Sequence, residues 1–190
     1  MTRSTKESIC QAAVPLFAQQ GYERTTIEDI AVAAGTAKGT IFYHFGTKRE
    51  LFIYTVRLGL SKWLRTLENI TAGTGPFIEK LSAVIDSHLT FVNEEQDLVR
   101  LILSEGPELR WRQEVKVLHE EFTTLMHELL NQGKVEGVVN ADLDVHVTTH
   151  TLFGAIMILA LDSLILEEGI DWKSTGANLK QLLLTGITGG

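Results

Sequence analysis

The chain contains few of the residues that build cross-linked, membrane-spanning or β-rich proteins. Of its 190 residues only Cys10 is a cysteine, which excludes an internal disulfide and any cysteine-rich metal site and fits a reducing cytoplasm. There are three prolines, and stretches that alternate apolar and polar residues are rare. The longest apolar run, at 152–161, ends at Asp162 and has about half the length that a bilayer requires. We therefore expect a soluble cytoplasmic protein that does not enter membranes.

Positive charge is concentrated at the start of the chain. Residues 1–66 contain nine Lys and Arg and five Asp and Glu, a net charge of +4, whereas residues 67–190 contain eight and nineteen, a net charge of −11. A basic segment attached to an acidic remainder indicates that only the first part meets a polyanion. The charge pattern alone leaves chance clustering open as the alternative.

Helical spacing of apolar residues recurs along the chain and predicts an all-α fold. Ile9, Ala13 and Phe17 lie on one stripe of a first helix, which contains Pro15 and ends at Gly21. Beyond a turn-forming segment at 72–76, further helices are predicted over 76–92, 97–104, 107–131, 144–167 and 178–184.

Two short helices follow the first one. A hydroxyl residue with an acidic residue three positions later is a capping box, and this pattern predicts a second helix from Thr25 or Thr26 and a fourth from Thr47 to about residue 68. Gly35 ends the second helix, and the third is predicted over 37–45. Two short helices joined at a glycine have the proportions of a helix-turn-helix motif.

The third helix has the side chains that a major groove can accept. The groove is about 12 Å wide, so the tip of an inserted helix needs small or polar residues. Lys38, Gly39 and Thr40 meet this requirement, and Tyr43 and His44 follow one turn later, where they can reach phosphates or base edges.

The remaining face of the third helix is apolar. We expect Ile41, Phe42 and Phe45 to point inward against the first two helices. Lys48 stands at the N-terminus of the fourth helix, where the helix dipole already favours a phosphate.

These residues form an extended pattern rather than an isolated motif. The segments GYERTTIEDIA at 21–31, AGTAKGTIFYHF at 34–45 and TKREL at 47–51 together resemble the DNA-binding domain of the TetR family of transcriptional regulators. The resemblance implies an all-α homodimer without a cofactor, in which residues 1–46 bind a palindromic operator. It further implies that residues 47–190 hold an effector pocket and the dimer interface, with the helix at 47–68 as the connector.

The resemblance also implies which residues contact DNA. The family usually has serine at Ala37, and Thr36 is the alternative N-cap; it usually has tyrosine at Phe42, so a hydroxyl is missing there. The predicted DNA contacts are Thr26, Thr36, Lys38, Gly39, Thr40, Tyr43, His44 and Lys48.

The C-terminal part offers aromatic and apolar side chains for a hydrophobic or aromatic effector. Each of them also fits a plain core role. The predicted pocket residues are Trp63, Phe91, Trp111, Phe122, Met126, His150 and Phe153. The apolar run at 152–161 predicts a helix that meets a partner subunit, with a wholly intramolecular core as the alternative. The predicted interface residues are Leu152, Ala155, Ile156 and Leu159.

Signatures of catalysis and metal binding are missing from the sequence. His146 and His150 are four residues apart and could form a metal pair, but no His-Glu-x-x-His motif accompanies them. The chain also lacks a phosphate-binding glycine loop and a Gly-x-Ser-x-Gly elbow. We therefore predict a non-enzymatic repressor that a small effector releases from DNA, without a metal. The alternative is an all-α small-molecule-binding protein or enzyme without DNA binding.

Overall fold

A computed structural model describes residues 4–110, 113–164 and 171–187, and within these ranges the chain is built from α-helices, as predicted. The helices are α1 Thr5–Gln20, α2 Ile27–Ala33, α3 Lys38–Phe45, α4 Lys48–Ala72, α5 Phe77–Glu94, α6 Gln96–Arg110, α7 Gln113–Val135, α8 Val145–Leu164 and α9 Trp172–Ile187.

The chain divides into two compact units. The first comprises Met1–Ser61 and Asp97–Lys116, and the second comprises Lys62–Gln96 and Val117–Gly190. This division differs from the predicted boundary after residue 46, because the first half of α4 supplies core side chains to α1–α3. The Phe52 ring meets those of Phe17 and Tyr22 at centroid distances of 5.2 and 5.0 Å.

Side-chain caps fix where the first two helices begin. Ser4 and Glu7 form a reciprocal capping box at the start of α1. The predicted box at α2 is confirmed: the Asp29 amide donates to Thr26 Oγ1 over 3.1 Å, and the Thr26 amide donates to Asp29 Oδ2 over 3.2 Å. Gly35, with φ of +62°, then turns the chain between α2 and α3.

Several predicted helix ends differ from the structure. The break predicted between 104 and 107 is wrong, since α6 continues to Arg110 and α7 begins at Gln113. Likewise α9 starts at Trp172 rather than at 178. The predicted end of α8 at 167 lies outside the described residues, which for this helix reach Leu164.

The second unit is organised around α5, which packs against α8 and α9. An ion pair of 2.7 Å between Lys180 and Asp86 joins α9 to α5. By length and composition alone α8 could cross a membrane, with a mean hydropathy of 1.5. A third of that apolar stretch is buried, and Leu152, Ile156 and Ala160 form the side of α8 that packs within the unit.

Candidate DNA-binding surface and ligand cavity

The outer face of α3 is open to solvent. Tyr43 is 85% exposed, and Lys38 and Gly39 are also exposed. Thr40 and His44 are half-buried, so the predicted contact face forms one surface of the short helix. A duplex can therefore reach this face without any rearrangement of α3.

Phe42 corrects the predicted inward face of α3. Ile41 and Phe45 are buried, but Phe42 is 41% exposed. The two buried residues are four positions apart and already cover the inner side of the helix, so Phe42 turns toward solvent. The Lys38 ammonium lies 5.6 Å from the centre of its ring. An apolar ring on this surface suits contact with a thymine methyl group.

Gly39 is not required by the packing of the protein. A Cβ atom built on it would find no other atom within 4 Å, and its φ is not in the left-handed region. Glycine near the start of a helix costs stability relative to alanine. The missing side chain therefore fits a role outside the molecule, such as close approach of the backbone to DNA.

Lys38 forms an ion pair with Glu28 of α2. Its hydrogen bond is the main reason why the pKa of Glu28 is lowered. The two side chains are 51% and 59% exposed, so the pair is worth little to stability and is easily exchanged for a phosphate contact.

Lys48 has a structural role that the sequence did not indicate. Its ammonium group donates hydrogen bonds to the backbone carbonyls of Tyr22, Glu23 and Thr25 over 2.9, 3.2 and 3.1 Å. It also lies 4.4 Å from the centre of the Tyr22 ring. All three donors are thus used within the protein, where Lys48 holds the segment between α1 and α2 in place, and the phosphate contact of Lys48 stays a prediction.

Two of the three predicted threonine contacts, Thr26 and Thr36, lie outside α3 and differ from each other. Thr26 is exposed, and its bonds to Asp29 lower the pKa of that carboxyl group. Thr36 is half-buried and its amide donates to the Ala31 carbonyl over 2.9 Å. The N-cap of α3 is Ala37, without a side-chain cap bond, so the predicted alternative cap at Thr36 is wrong.

The second unit contains an apolar cavity. The space between its walls measures about 280 Å³, including the part that opens to solvent. Within the described part of the chain, the lining has no Lys, Arg, Asp or Glu. The lining residues are Trp63, Leu81, Val84, Ile85, His88, Phe122, Met126, Leu152, Phe153 and Ile156.

Four of the predicted pocket residues line this cavity: Trp63, Phe122, Met126 and Phe153. Phe91 lies behind them, stacked on Trp63 with the ring centres 5.4 Å apart. The prediction for His150 is corrected, because this residue is exposed on the surface of α8 rather than in the cavity. Trp111 lies outside the described residues.

Sequence reasoning missed His88, the most polar residue of the cavity wall. It is 4% exposed, and burial lowers the pKa of its imidazole to about 3, so the ring is neutral at pH 7. Its ring stacks on that of Phe153 with the ring centres 4.9 Å apart, and its centre lies 5.0 Å from that of the Trp63 ring. The signal was present, since His88 continues the apolar stripe of Leu81 and Ile85 at helical spacing.

Four histidines of α7 and α8 lie in a row on the second unit. The rings of His146 and His150 are 4.2 Å apart, with His127 5.9 Å from His146 and His119 5.8 Å from His150. His150 Nδ1 lies 2.8 Å from the His146 carbonyl oxygen. Within the described ranges no three potential ligands are placed to hold a metal ion.

The predicted interface residues fall on two sides of α8. Leu152 and Ile156 are 4% and 2% exposed and line the cavity, so their side chains have no surface to offer a partner; this corrects the prediction for both. Ala155 and Leu159 are half-buried. The large apolar residues that α8 does expose are Val147 and Ile158.

Known proteins share both the sequence pattern and the fold. A family model described as bacterial regulatory proteins, tetR family, matches residues 9–55, and a tetracyclin repressor-like C-terminal domain model matches residues 74–160. The fatty acid metabolism regulator protein of Bacillus subtilis is 24% identical over 94% of this chain and 93% of its own length. The transcriptional repressor KstR2 of Mycolicibacterium smegmatis is 28% identical over 75% of this chain and 71% of its own.

Solved structures show the same architecture. The fatty acid degradation regulator FadR from Bacillus halodurans matches with a TM-score of 0.86 at 24% identity, over 98% of this chain and 97% of that one. FadR from Bacillus subtilis in complex with stearoyl-CoA matches with a TM-score of 0.82 at 24% identity, over 95% and 98%.

A helix-turn-helix with an exposed third helix, carried by a chain that also encloses an apolar cavity, defines a ligand-responsive, DNA-binding transcriptional regulator. Both family models match in the expected order, and the chain belongs to the TetR family.

Proposed function

We propose that the protein is a cytoplasmic, homodimeric repressor that leaves a palindromic operator when a small hydrophobic effector enters the cavity of the second unit. The observation that carries this proposal is the combination of the open face of α3 with an apolar cavity lined by Trp63 and Phe122. Relatives support it, since one is named a repressor and another was solved with stearoyl-CoA.

On DNA, the face of α3 enters the major groove. Lys38 exchanges Glu28 for a phosphate, Tyr43 reaches the backbone or a base edge, and Gly39 permits close approach. Thr40 offers a hydroxyl group and a methyl group, and His44 adds a polar ring. Two copies read half-sites one helical turn apart, about 34–36 Å.

Exposed apolar side chains of α8 and α9 support the dimer. Val147, Ile158 and Leu182 are 60%, 59% and 69% exposed. A second copy that covers these side chains would remove the exposed apolar area from water.

Release from DNA follows from the small size of the cavity. Ligand pockets usually measure about 300–1,000 Å³. The part of this cavity that a water-sized sphere can occupy is only about 20 Å³, so the cavity must expand to admit an effector. Trp63 lies on α4, the helix whose first residue is Lys48. An effector that binds the expanded form more tightly displaces Trp63 and α4 and shifts the population away from the DNA-binding form.

The test begins with an operator selected from random duplexes by the purified protein, measured by fluorescence anisotropy against a scrambled duplex. We expect specific binding that falls steeply with salt concentration. Stearoyl-CoA and a ketosteroid are the first effectors to add, and release of the duplex by either supports the proposal. Failure to enrich any sequence would contradict operator binding, and the alternative of a binding protein without DNA, which the comparisons do not favour, would then apply.

A further inference from the structure

The cavity wall contains a hydrogen-bond donor that the described part of the protein does not satisfy. Trp63 is 9% exposed, and its Nε1 is buried without a hydrogen-bond partner among the described residues. The same indole lines the cavity, with its ring centre 5.5 Å from that of Phe122 and 5.0 Å from that of His88. A buried N–H group without a partner is unfavourable, so a molecule that supplies an acceptor recovers the lost free energy.

The charge of the cavity restricts which acceptor it takes. Among the residues that the structure describes, none that lines the cavity is basic or acidic. Burial also keeps the His88 imidazole neutral at pH 7, because its pKa is lowered to about 3. A carboxylate placed among these side chains would lose its hydration without gaining a counter-ion, which is strongly unfavourable. An uncharged carbonyl oxygen carries a much smaller desolvation cost.

We infer that the indole N–H of Trp63 donates a hydrogen bond to an uncharged carbonyl oxygen of the effector, so that the cavity selects apolar ketones, esters or thioesters over hydrocarbons and carboxylates of the same length. This inference rests on the proposed role of the cavity as the effector site. The unpaired Trp63 N–H group and the uncharged cavity wall together indicate this class of ligand.

The test uses three probes with chains of equal length: 2-octanone, octane and octanoate, added to the full-length protein at pH 7. Met126 also lines the cavity, so the labelled methyl group of Met126 reports binding inside it. In protein labelled with ¹⁵N-tryptophan, the Trp63 indole proton resonance reports the hydrogen bond directly. We expect 2-octanone to move this resonance downfield and octane to leave it without a downfield shift.

The variant Trp63→Phe removes the donor and keeps an aromatic ring. We expect it to weaken 2-octanone binding by about 3- to 10-fold, the range of a net hydrogen bond, and octane binding by less than about 2-fold. Trp172→Phe is the matched control, since Trp172 is not a cavity residue, and it should leave both affinities unchanged. A purely structural role of Trp63 would instead weaken both probes equally.

The remaining outcomes separate this inference from the proposed function. Equal losses for 2-octanone and octane, no downfield shift of the Trp63 resonance, or tighter binding of octanoate than of 2-octanone would each overturn the inference and leave the cavity as the effector site. If no probe changed the Met126 resonance, both the effector site and the inference would fail. If Trp63→Phe did not fold, the Trp63 indole resonance of the unmodified protein would test the inference: a downfield shift with 2-octanone supports it, and no such shift overturns it.

Discussion

The predicted DNA contacts on α3 and the residues that line the cavity of the second unit lie in opposite environments. On α3 the predicted contacts are exposed or half-buried, with Tyr43 85% exposed, whereas at the cavity Trp63 and Phe122 are 9% and 8% exposed. Surface residues can be exchanged with little effect on folding, while cavity residues belong to the hydrophobic core. DNA binding is therefore separable from stability in the first unit, and ligand binding is coupled to stability in the second.

The largest expected effect compares two phenylalanines. Phe122→Ala should lower the free energy of unfolding by about 3–4 kcal/mol, because it removes a buried ring from the cavity wall. Phe42→Ala should change it by less than about 0.5 kcal/mol, since its ring is partly in solvent, and should weaken operator binding instead. Urea unfolding of both variants measures the contrast. Similar losses of stability would erase the distinction between the two regions.

A pH effect on stability should come from the cavity through His88. The unfolded imidazole has its ordinary pKa of 6.5, whereas the folded one is at about 3, so acid protonates the unfolded chain first. The free energy of unfolding should then fall by about 2 kcal/mol from this residue as the pH is lowered from 7 to 5. His88→Phe should remove that part of the pH dependence. An unchanged pH profile in the variant would show that His88 is not buried in its neutral form.

Substitutions of Lys48 and Lys38 should distinguish a lysine that stabilises the fold from one that contacts a phosphate. Lys48→Met should lower the free energy of unfolding by about 1–2 kcal/mol, because three carbonyls lose their donor. Lys38→Met should leave stability nearly unchanged and reduce the slope of log affinity against log salt concentration by about 1. Chemical denaturation and anisotropy at several salt concentrations provide the two readouts. A reduced slope for Lys48→Met in a stably folded protein would show that Lys48 also contacts a phosphate.

The smallest expected change in stability has the opposite sign. Gly39→Ala should raise the free energy of unfolding by about 0.5 kcal/mol, because alanine favours the helix and the new Cβ meets nothing. The same methyl group should weaken operator binding by obstructing the approach of α3 to DNA. Thermal unfolding and anisotropy measure the two effects on one sample. Unchanged operator binding would remove Gly39 from the contact surface.

Local features could be predicted from the sequence, whereas features set by packing could not. The Thr26–Asp29 box depends on a spacing of three residues and was predicted correctly. The carbonyl partners of Lys48 lie more than twenty residues away on the backbone, where side-chain patterns carry no signal. Likewise, the apolar stripe of Leu81 and Ile85 indicates that His88 is buried, but only the packing of the helices decides that it faces the cavity and that His150 does not.

Operator binding by Tyr43→Ala tests most directly whether the exposed face of α3 reads DNA. Val135→Ala is the matched control, because Val135 is 90% exposed and lies at the end of α7 in the second unit. We predict that Tyr43→Ala weakens binding to the selected operator about tenfold or more, while its free energy of unfolding stays within about 0.5 kcal/mol of the unmodified protein. Undiminished operator affinity in a folded Tyr43→Ala protein would contradict DNA recognition by this face.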